Sequence, residues 1–211
     1  RDLVRSRGLG DVYKRQVEYR GGKSVAILGG GTIGLMTMQW AKIFGAEKVA
    51  VFDILDERLE LAKRLGADYG INSGKEDFME RVKELTDGRG FDYVYETAGN
   101  TITMKLAFKL AANKAQVCFI GTPTKDLSFS VEEWENMNRK EFTLTGSWMS
   151  YSAPFPGDEW ELTAHYFRTG ELQFDDSFIY KKIPLSKIDE AFEMFKTPGL
   201  VKGKILIDSE G

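Results

Sequence analysis

Short β-branched and apolar runs alternate with helical segments over residues 17–149, and this alternation constrains the fold more than any other feature. The runs SVAIL, KVAVFD, GFDYVYE, AQVCFIG and FTLTGSW have the composition of buried strands, and segments with helical apolar spacing lie between most of them. Strands that alternate with helices of about ten to fifteen residues form right-handed βαβ units. We therefore predict an α/β fold with a doubly wound parallel sheet.

The stretch AILGGGTIGLMTMQWAKIFGAEKVAVFD, residues 26–53, joins the first two predicted strands through a glycine-rich turn. Gly29, Gly31 and Gly34 have the spacing G-x-G-x-x-G directly after a strand and at the start of a helix. The first glycine permits the tight turn, the second lets the backbone approach a pyrophosphate, and the third lets the helix pack on the strand. The N-terminus of that helix presents free N–H groups to phosphate. This arrangement predicts a Rossmann dinucleotide-binding unit.

Asp53 ends the second predicted strand, where its carboxylate can accept two hydrogen bonds from a ribose diol. Because that negative charge would repel a 2′-phosphate, the residue favours NAD over NADP. Arg58 follows on the next helix and can reach the same ribose, although a solvated surface arginine is an alternative interpretation. The glycine spacing alone also fits a turn that binds nothing, or a Rossmann-like methyltransferase.

Composition and charge exclude other classes of function. The net charge of −3 over 211 residues gives no reason to expect a nucleic-acid partner. No apolar run approaches the length of a membrane span. With Cys118 and His165 as the single cysteine and the single histidine, no intrachain disulfide and no zinc-ligand spacing is possible. This cysteine content favours a reducing, cytoplasmic compartment.

The glycine stretch, the pattern D-x-x-x-x-R-L-x-x-A-x-x-L-G-A-D that starts at Asp53, GFDYVYETAGN and VCFIGTP together carry a family resemblance. From Val17 to its C-terminus the chain resembles the zinc-dependent alcohol and polyol dehydrogenases of the medium-chain dehydrogenase/reductase family. The run LTGSWMSYSAPFPGDEW resembles members that act on a sugar-alcohol phosphate. The resemblance implies NAD-dependent oxidation of a sugar alcohol or its phosphate to a ketose, with a catalytic zinc.

The resemblance also implies cofactor contacts along one edge of the sheet. It places Thr32 and Ile33 against the pyrophosphate, and Asp53 with Arg58 on the adenosine ribose. It places residues after the later strands around the rest of the cofactor: Thr97 and Ala98 on the adenine side, and Ile120, Gly121, Thr122, Ser147 and Met149 at the nicotinamide. For the apolar members, plain core or cleft lining is the alternative interpretation. Since family members commonly pair through the sixth-strand edge, the resemblance further implies a homo-oligomer, a dimer or tetramer.

The chain is expected to have three parts. Residues 1–16 lack an apolar period and are rich in basic residues, so we interpret them as a non-native leader, with a disordered basic arm as the alternative. Residues 17–150 would form the NAD-binding Rossmann domain. Residues 151–211 carry helices and a final strand, GKILI, without an evident partner, and the resemblance assigns them to a mostly missing GroES-like catalytic domain.

The zinc ligands and proton-relay groups of the family lie in that missing part, so no catalytic or metal residue is expected in this chain. We interpret the chain as an N-terminally truncated fragment that is inactive alone. Two other functions fit the same residues: a zinc-free reductase of the same superfamily, and a standalone dinucleotide-binding module. Tighter binding of NADPH would favour the reductase, and a monodisperse chain that binds NAD by itself would favour the module.

Overall fold

The computed structural model describes residues 19–75, 77–148, 157–197 and 199–209. The chain divides into two compact units, Arg1–Leu172 and Gln173–Gly211. The domain boundary between residues 150 and 151 that the sequence suggests stays a prediction. In the described part of the chain, no helix has both the length and the apolar character that crossing a membrane requires.

Strands and helices alternate along the described part of the first unit. The strands are β1 (Ser24–Leu28), β2 (Lys48–Asp53), β3 (Tyr69–Asn72), β4 (Phe91–Glu96), β5 (Ala111–Phe119) and β6 (Thr143–Gly146). The helices are α1 (Thr32–Ile43), α2 (Asp56–Arg64), α3 (Phe78–Thr86), α4 (Thr101–Leu110), α5 (Val131–Lys140) and α6 (Gly157–Thr169). All the strands pair in parallel, in the order β3-β2-β1-β4-β5-β6. This is the Rossmann order, which reverses direction between β1 and β4, so the predicted fold class is confirmed.

Both faces of the sheet are covered. Val25 and Ile27 point to one face of β1 and Ala26 and Leu28 to the other, and all four are fully buried. Helix α1 is buried over eight consecutive residues, from Gly34 to Ala41, as its nearly continuous apolar sequence predicts. A sheet buried on both sides explains why its strands read as continuous apolar runs rather than as alternating ones.

Two elements differ from the sequence-based expectation. Strand β5 begins at Ala111 rather than at the predicted Ala115. Its extra residues pair with β4 across an irregularity in register, where Lys114 has a positive φ of 60°. No helix is predicted from the sequence between β5 and β6, yet α5 lies there. A capping box between Ser130 and Glu133 opens α5, a signal that the sequence does contain.

The second unit contains strands β7 (Ile179–Pro184) and β8 (Lys204–Asp208), with helix α7 (Ile188–Lys196) between them along the chain. The final strand therefore has a partner, because β8 pairs in parallel with β7. The sequence of β7, IYKKIP, hides this pairing because two lysines and a proline weaken its strand pattern. On α7, Phe192 and Phe195 are 62% and 58% exposed.

Candidate functional site

The glycine-rich turn after β1 is shaped by close contacts at two of its three motif positions. Gly29 has φ +104°, a conformation that side chains disfavour. A Cβ on Gly34 would overlap the carbonyl oxygen of Gly29, so α1 can sit this close to the strand only with glycine there. The predicted turn and packing roles of these two glycines are confirmed. By contrast, a Cβ on Gly31 would meet no atom within 4 Å, so the fold itself leaves this position open.

The open space at Gly31 lies at the N-terminus of α1. Gly31 is the N-cap of the helix and provides no side-chain cap. Thr32 and Ile33, both partly buried, are its first two residues. Because the first N–H groups of a helix have no intrahelical partner, this end of α1 presents donors toward open space. Such an end can hold an anionic group.

Asp53 ends β2 beside the same glycine turn and is only 8% exposed. Its Oδ2 accepts a hydrogen bond from the backbone N–H of Gly30 at 2.8 Å, and its Oδ1 accepts one from the N–H of Leu55 at 3.0 Å. The carboxylate therefore ties the glycine turn to the start of α2.

Arg58 lies in the first turn of α2, and its guanidinium is 3.3 Å from Asp53 Oδ2. Its side chain is 29% exposed, which excludes a purely solvated surface arginine. The structure thus brings Asp53 and Arg58 together as predicted, with the positive charge compensating the carboxylate.

Thr97 and Ala98 follow β4 and face the glycine turn across the point where the strand order reverses. The N–H and the hydroxyl of Thr97 both donate to the carbonyl oxygen of Leu28, each at 2.9 Å. A Cβ on Gly29 would lie 3.2 Å from the Ala98 side chain. In open α/β sheets, ligands bind in the crevice at such a switch point.

The later strand ends lie at the same edge of the sheet. Ile120, Gly121 and Thr122 follow β5, and Ser147 follows β6, where its N–H donates to the carbonyl oxygen of Phe119 at 2.9 Å. Because the strands are parallel, these positions share an edge with Asp53 and Thr97. Met149, the remaining predicted contact, lies outside the described residues.

Sequence reasoning missed one residue of this edge, Glu96, the last residue of β4. It is completely buried. Its Oε1 accepts hydrogen bonds from the N–H groups of Ala98 and Gly99 at 3.0 and 2.9 Å, and from the hydroxyl of Thr103 at 2.7 Å. Its Oε2 has no hydrogen-bond partner among the described residues. Burial raises the pKa of this carboxyl, although the three hydrogen bonds act in the opposite direction.

The described residues do not fit a catalytic metal. They contain no group of three or more His, Cys, Asp or Glu side chains that could hold a metal ion. Cys118 is buried in β5, and this burial raises the pKa of its thiol to about 11. Since a thiolate is the metal ligand, such a cysteine is a poor one. His165 lies on the exposed side of α6, next to Tyr166.

Comparisons with known proteins agree with this geometry. Residues 32–165 match the family described as zinc-binding dehydrogenase. Galactitol 1-phosphate 5-dehydrogenase of Escherichia coli (strain K12) is 38% identical over 153 residues, which are 72% of this chain and 44% of that protein. L-threonine 3-dehydrogenase of Symbiobacterium thermophilum is 34% identical over 173 residues, which are 82% of this chain and 47% of that protein.

A solved structure extends the similarity to three dimensions. The crystal structure of galactitol-1-phosphate dehydrogenase from Escherichia coli superposes with a TM-score of 0.86 at 31% identity, over 98% of this chain and 59% of that chain. The chain spans less than half the length of the curated relatives it matches.

Proposed function

The chain belongs to the zinc-binding dehydrogenase family, and from that premise we propose that its first unit binds NAD for the oxidation of a sugar alcohol or its phosphate. One observation carries the proposal: Asp53 is held against the glycine turn, directly beside the open N-terminus of α1. A carboxylate and an anion-accepting helix end are the two features that a ribose and a pyrophosphate need.

Each part of NAD can be assigned to particular residues along this edge of the sheet. Gly31, Thr32 and Ile33 would receive the pyrophosphate, since a Cβ on Gly31 would meet no atom of the described residues within 4 Å. Asp53 would accept hydrogen bonds from the adenosine ribose, with Arg58 compensating its charge. Thr97 and Ala98 would flank the adenine side.

The nicotinamide half would lie against the ends of β5 and β6. Ile120, Gly121, Thr122 and Ser147 fit this role by their place on the edge, and Met149 stays a proposed contact. When bound, NAD supplies the hydride acceptor. The residues of this chain bind and orient the cofactor, and the described ones offer no ligand set for zinc. We propose that residues outside this chain supply the zinc ligands and the proton relay.

The substrate class rests on similarity. The curated relative that is 38% identical is named for galactitol 1-phosphate, which supports a sugar-alcohol phosphate. L-threonine is the alternative that another relative's name suggests. We further propose a cytoplasmic location and a homo-oligomer, and the position of β6 at one edge of the sheet, among the described strands, supports the oligomer.

Calorimetric titration of the full chain with NADH and NADPH tests the proposal. NADH should bind more tightly, because the carboxylate of Asp53 repels a 2′-phosphate. Asp53→Ala should weaken NADH by about tenfold or more, through loss of charge-assisted hydrogen bonds, and should weaken NADPH less. Asp56→Ala is the matched control, since that carboxylate is exposed and hydrogen-bonds to Asn72. Tighter binding of NADPH by the unaltered chain would contradict the proposal and favour a zinc-free reductase.

A further inference from the structure

Glu96 connects two turns that the proposed cofactor site needs. Its side chain folds back beneath the turn that follows its own strand, where it accepts from the N–H groups of Ala98 and Gly99. The hydroxyl of Thr103 donates to the same oxygen. This single carboxylate oxygen therefore fixes the turn after β4 and the first turn of α4 together.

The backbone of Glu96 holds the other turn. Its carbonyl oxygen accepts hydrogen bonds from the N–H groups of Ile120 and Gly121, at 2.8 and 3.0 Å. These residues begin the turn after β5. One residue thus anchors one turn through its side chain and the next turn through its main chain.

The two turns also interlock through glycines. A Cβ on Gly121 would overlap the backbone nitrogen of Gly99 and would lie 2.7 Å from Glu96 Oε2. A Cβ on Gly99 would lie 2.6 Å from the carbonyl oxygen of Thr122. Backbone packing this close leaves neither turn free to move without the other.

Burial of a carboxylate lowers the stability of the fold unless hydrogen bonds compensate for its lost hydration. Glu96 is fully buried, and its Oε2 has no hydrogen-bond partner among the described residues. An unpaired buried polar atom lowers the stability of the fold. The compensation lies in Oε1, which accepts from two backbone N–H groups, one of them on the buried residue Gly99.

We propose that Glu96 is a positioning residue that locks the turns after β4 and β5 into one rigid wall of the cofactor cleft. This inference rests on the proposed function, since the wall has a role only if a dinucleotide lies along it. Glu96 itself is too deeply buried to contact the cofactor. Its effect should be largest on the nicotinamide half of the dinucleotide, because that half would lie along the turn after β5, whereas the adenine side would meet only the turn after β4.

Binding of NADH and of AMP to the full chain separates these effects. AMP should meet only one of the two turns that Glu96 holds, the one after β4, whereas NADH should extend along both. Glu96→Ala should weaken NADH about tenfold and AMP by about threefold at most, since two N–H groups in the turn after β4 lose their acceptor and both turns loosen. Glu96→Gln keeps a carbonyl oxygen at Oε1 and should restore most of the NADH affinity.

Thr103→Val is the milder test of the same interaction, because it removes one of the three donors to Oε1 and keeps the shape of the side chain. It should weaken NADH by roughly two- to threefold and AMP by less than that. Equal losses of NADH and AMP in Glu96→Ala would overturn the inference, as would a Glu96→Gln variant as weak as Glu96→Ala.

Two further outcomes are distinguishable. If Glu96→Ala fails to fold by circular dichroism, Thr103→Val gives the answer, and its failure to weaken NADH selectively would overturn the inference. If the unaltered chain binds neither NADH nor AMP, the proposed function itself fails. A chain that binds both, without the selective loss in the variants, contradicts only the role of Glu96.

Discussion

The ends of β2 and β4 each carry a buried carboxylate, and the two are held in opposite ways. Asp53 has hydrogen bonds to both oxygens and an arginine 3.3 Å away. Glu96 uses one oxygen only, and its three donors are neutral groups. The first carboxylate is charge-compensated and 8% exposed, whereas the second is fully enclosed.

This difference separates two tasks at one edge of the sheet. A slightly exposed carboxylate can accept from a ligand hydroxyl while it keeps its backbone donors, because each of its oxygens can accept more than one hydrogen bond. A carboxylate wrapped in its own turn cannot reach a ligand, and it defines where the backbone around it lies. We therefore expect changes near Glu96 to act first on the fold, and changes near Asp53 to act first on binding.

Gly121→Ala should have the largest effect on stability, because the added methyl group would crowd the two turns that Glu96 holds. The new Cβ would overlap the nitrogen of Gly99 and crowd Glu96 Oε2, and both are parts of fixed turns. We expect the free energy of unfolding to fall by about 3 kcal/mol, as overpacking against backbone does. Urea denaturation measures the loss.

Gly146→Ala is the control for that substitution, since a Cβ there meets nothing within 4 Å. Its free energy of unfolding should stay within about 0.5 kcal/mol of the unaltered chain. If the two alanine variants were equally stable, the turns after β4 and β5 would not be interlocked, and the contrast between the two strand ends would fail.

The two carboxylates also differ in how far the sequence reveals them. Asp53 is predictable because its distance from the glycine turn along the chain reports its place beside that turn. Glu96 is not, because its burial depends on Gly121 and on the turn after β5, which only the folded sheet brings near. The early start of β5 is hidden for a similar reason, since a bulge at Lys114 breaks its pattern.

The free energy of unfolding should depend on pH in opposite directions through Glu96 and through a carboxylate whose pKa is lowered. Burial raises the pKa of Glu96 in the folded chain. As pH rises from the ordinary glutamate pKa to this higher value, the unfolded chain loses the proton first, so the folded state loses stability across that window. Glu96→Gln has no carboxyl group to titrate at this position. Its free energy of unfolding should therefore rise relative to that of the unaltered chain, by about 1.4 kcal/mol for each pH unit of the window.

Asp92→Asn is the opposite control in the same urea measurements. Burial acts to raise the pKa of Asp92, but hydrogen bonds from Ser24 and the charge of Lys23 outweigh it and lower the pKa. Its stabilisation is therefore present above the ordinary aspartate pKa and is lost as pH falls through the lowered value. The contrary result would be free energies of unfolding of Glu96→Gln and of the unaltered chain that differ by the same amount at every pH. That result would show that the burial of Glu96 does not destabilise the folded chain.

Arg58→Ala should have the smallest effect, because the guanidinium acts on Asp53 from a partly exposed position. The pair should contribute less than about 1 kcal/mol to the free energy of unfolding. Without its cation, Asp53 keeps its two backbone donors and so its place, and NADH affinity should fall only about two- to threefold. Lys63→Ala, on the exposed face of the same helix, is the control in both the urea and the calorimetric measurements. If Arg58→Ala weakens NADH binding as much as Asp53→Ala does, the guanidinium is the main contact to the ribose. Asp53 would then serve chiefly to hold Arg58 in place.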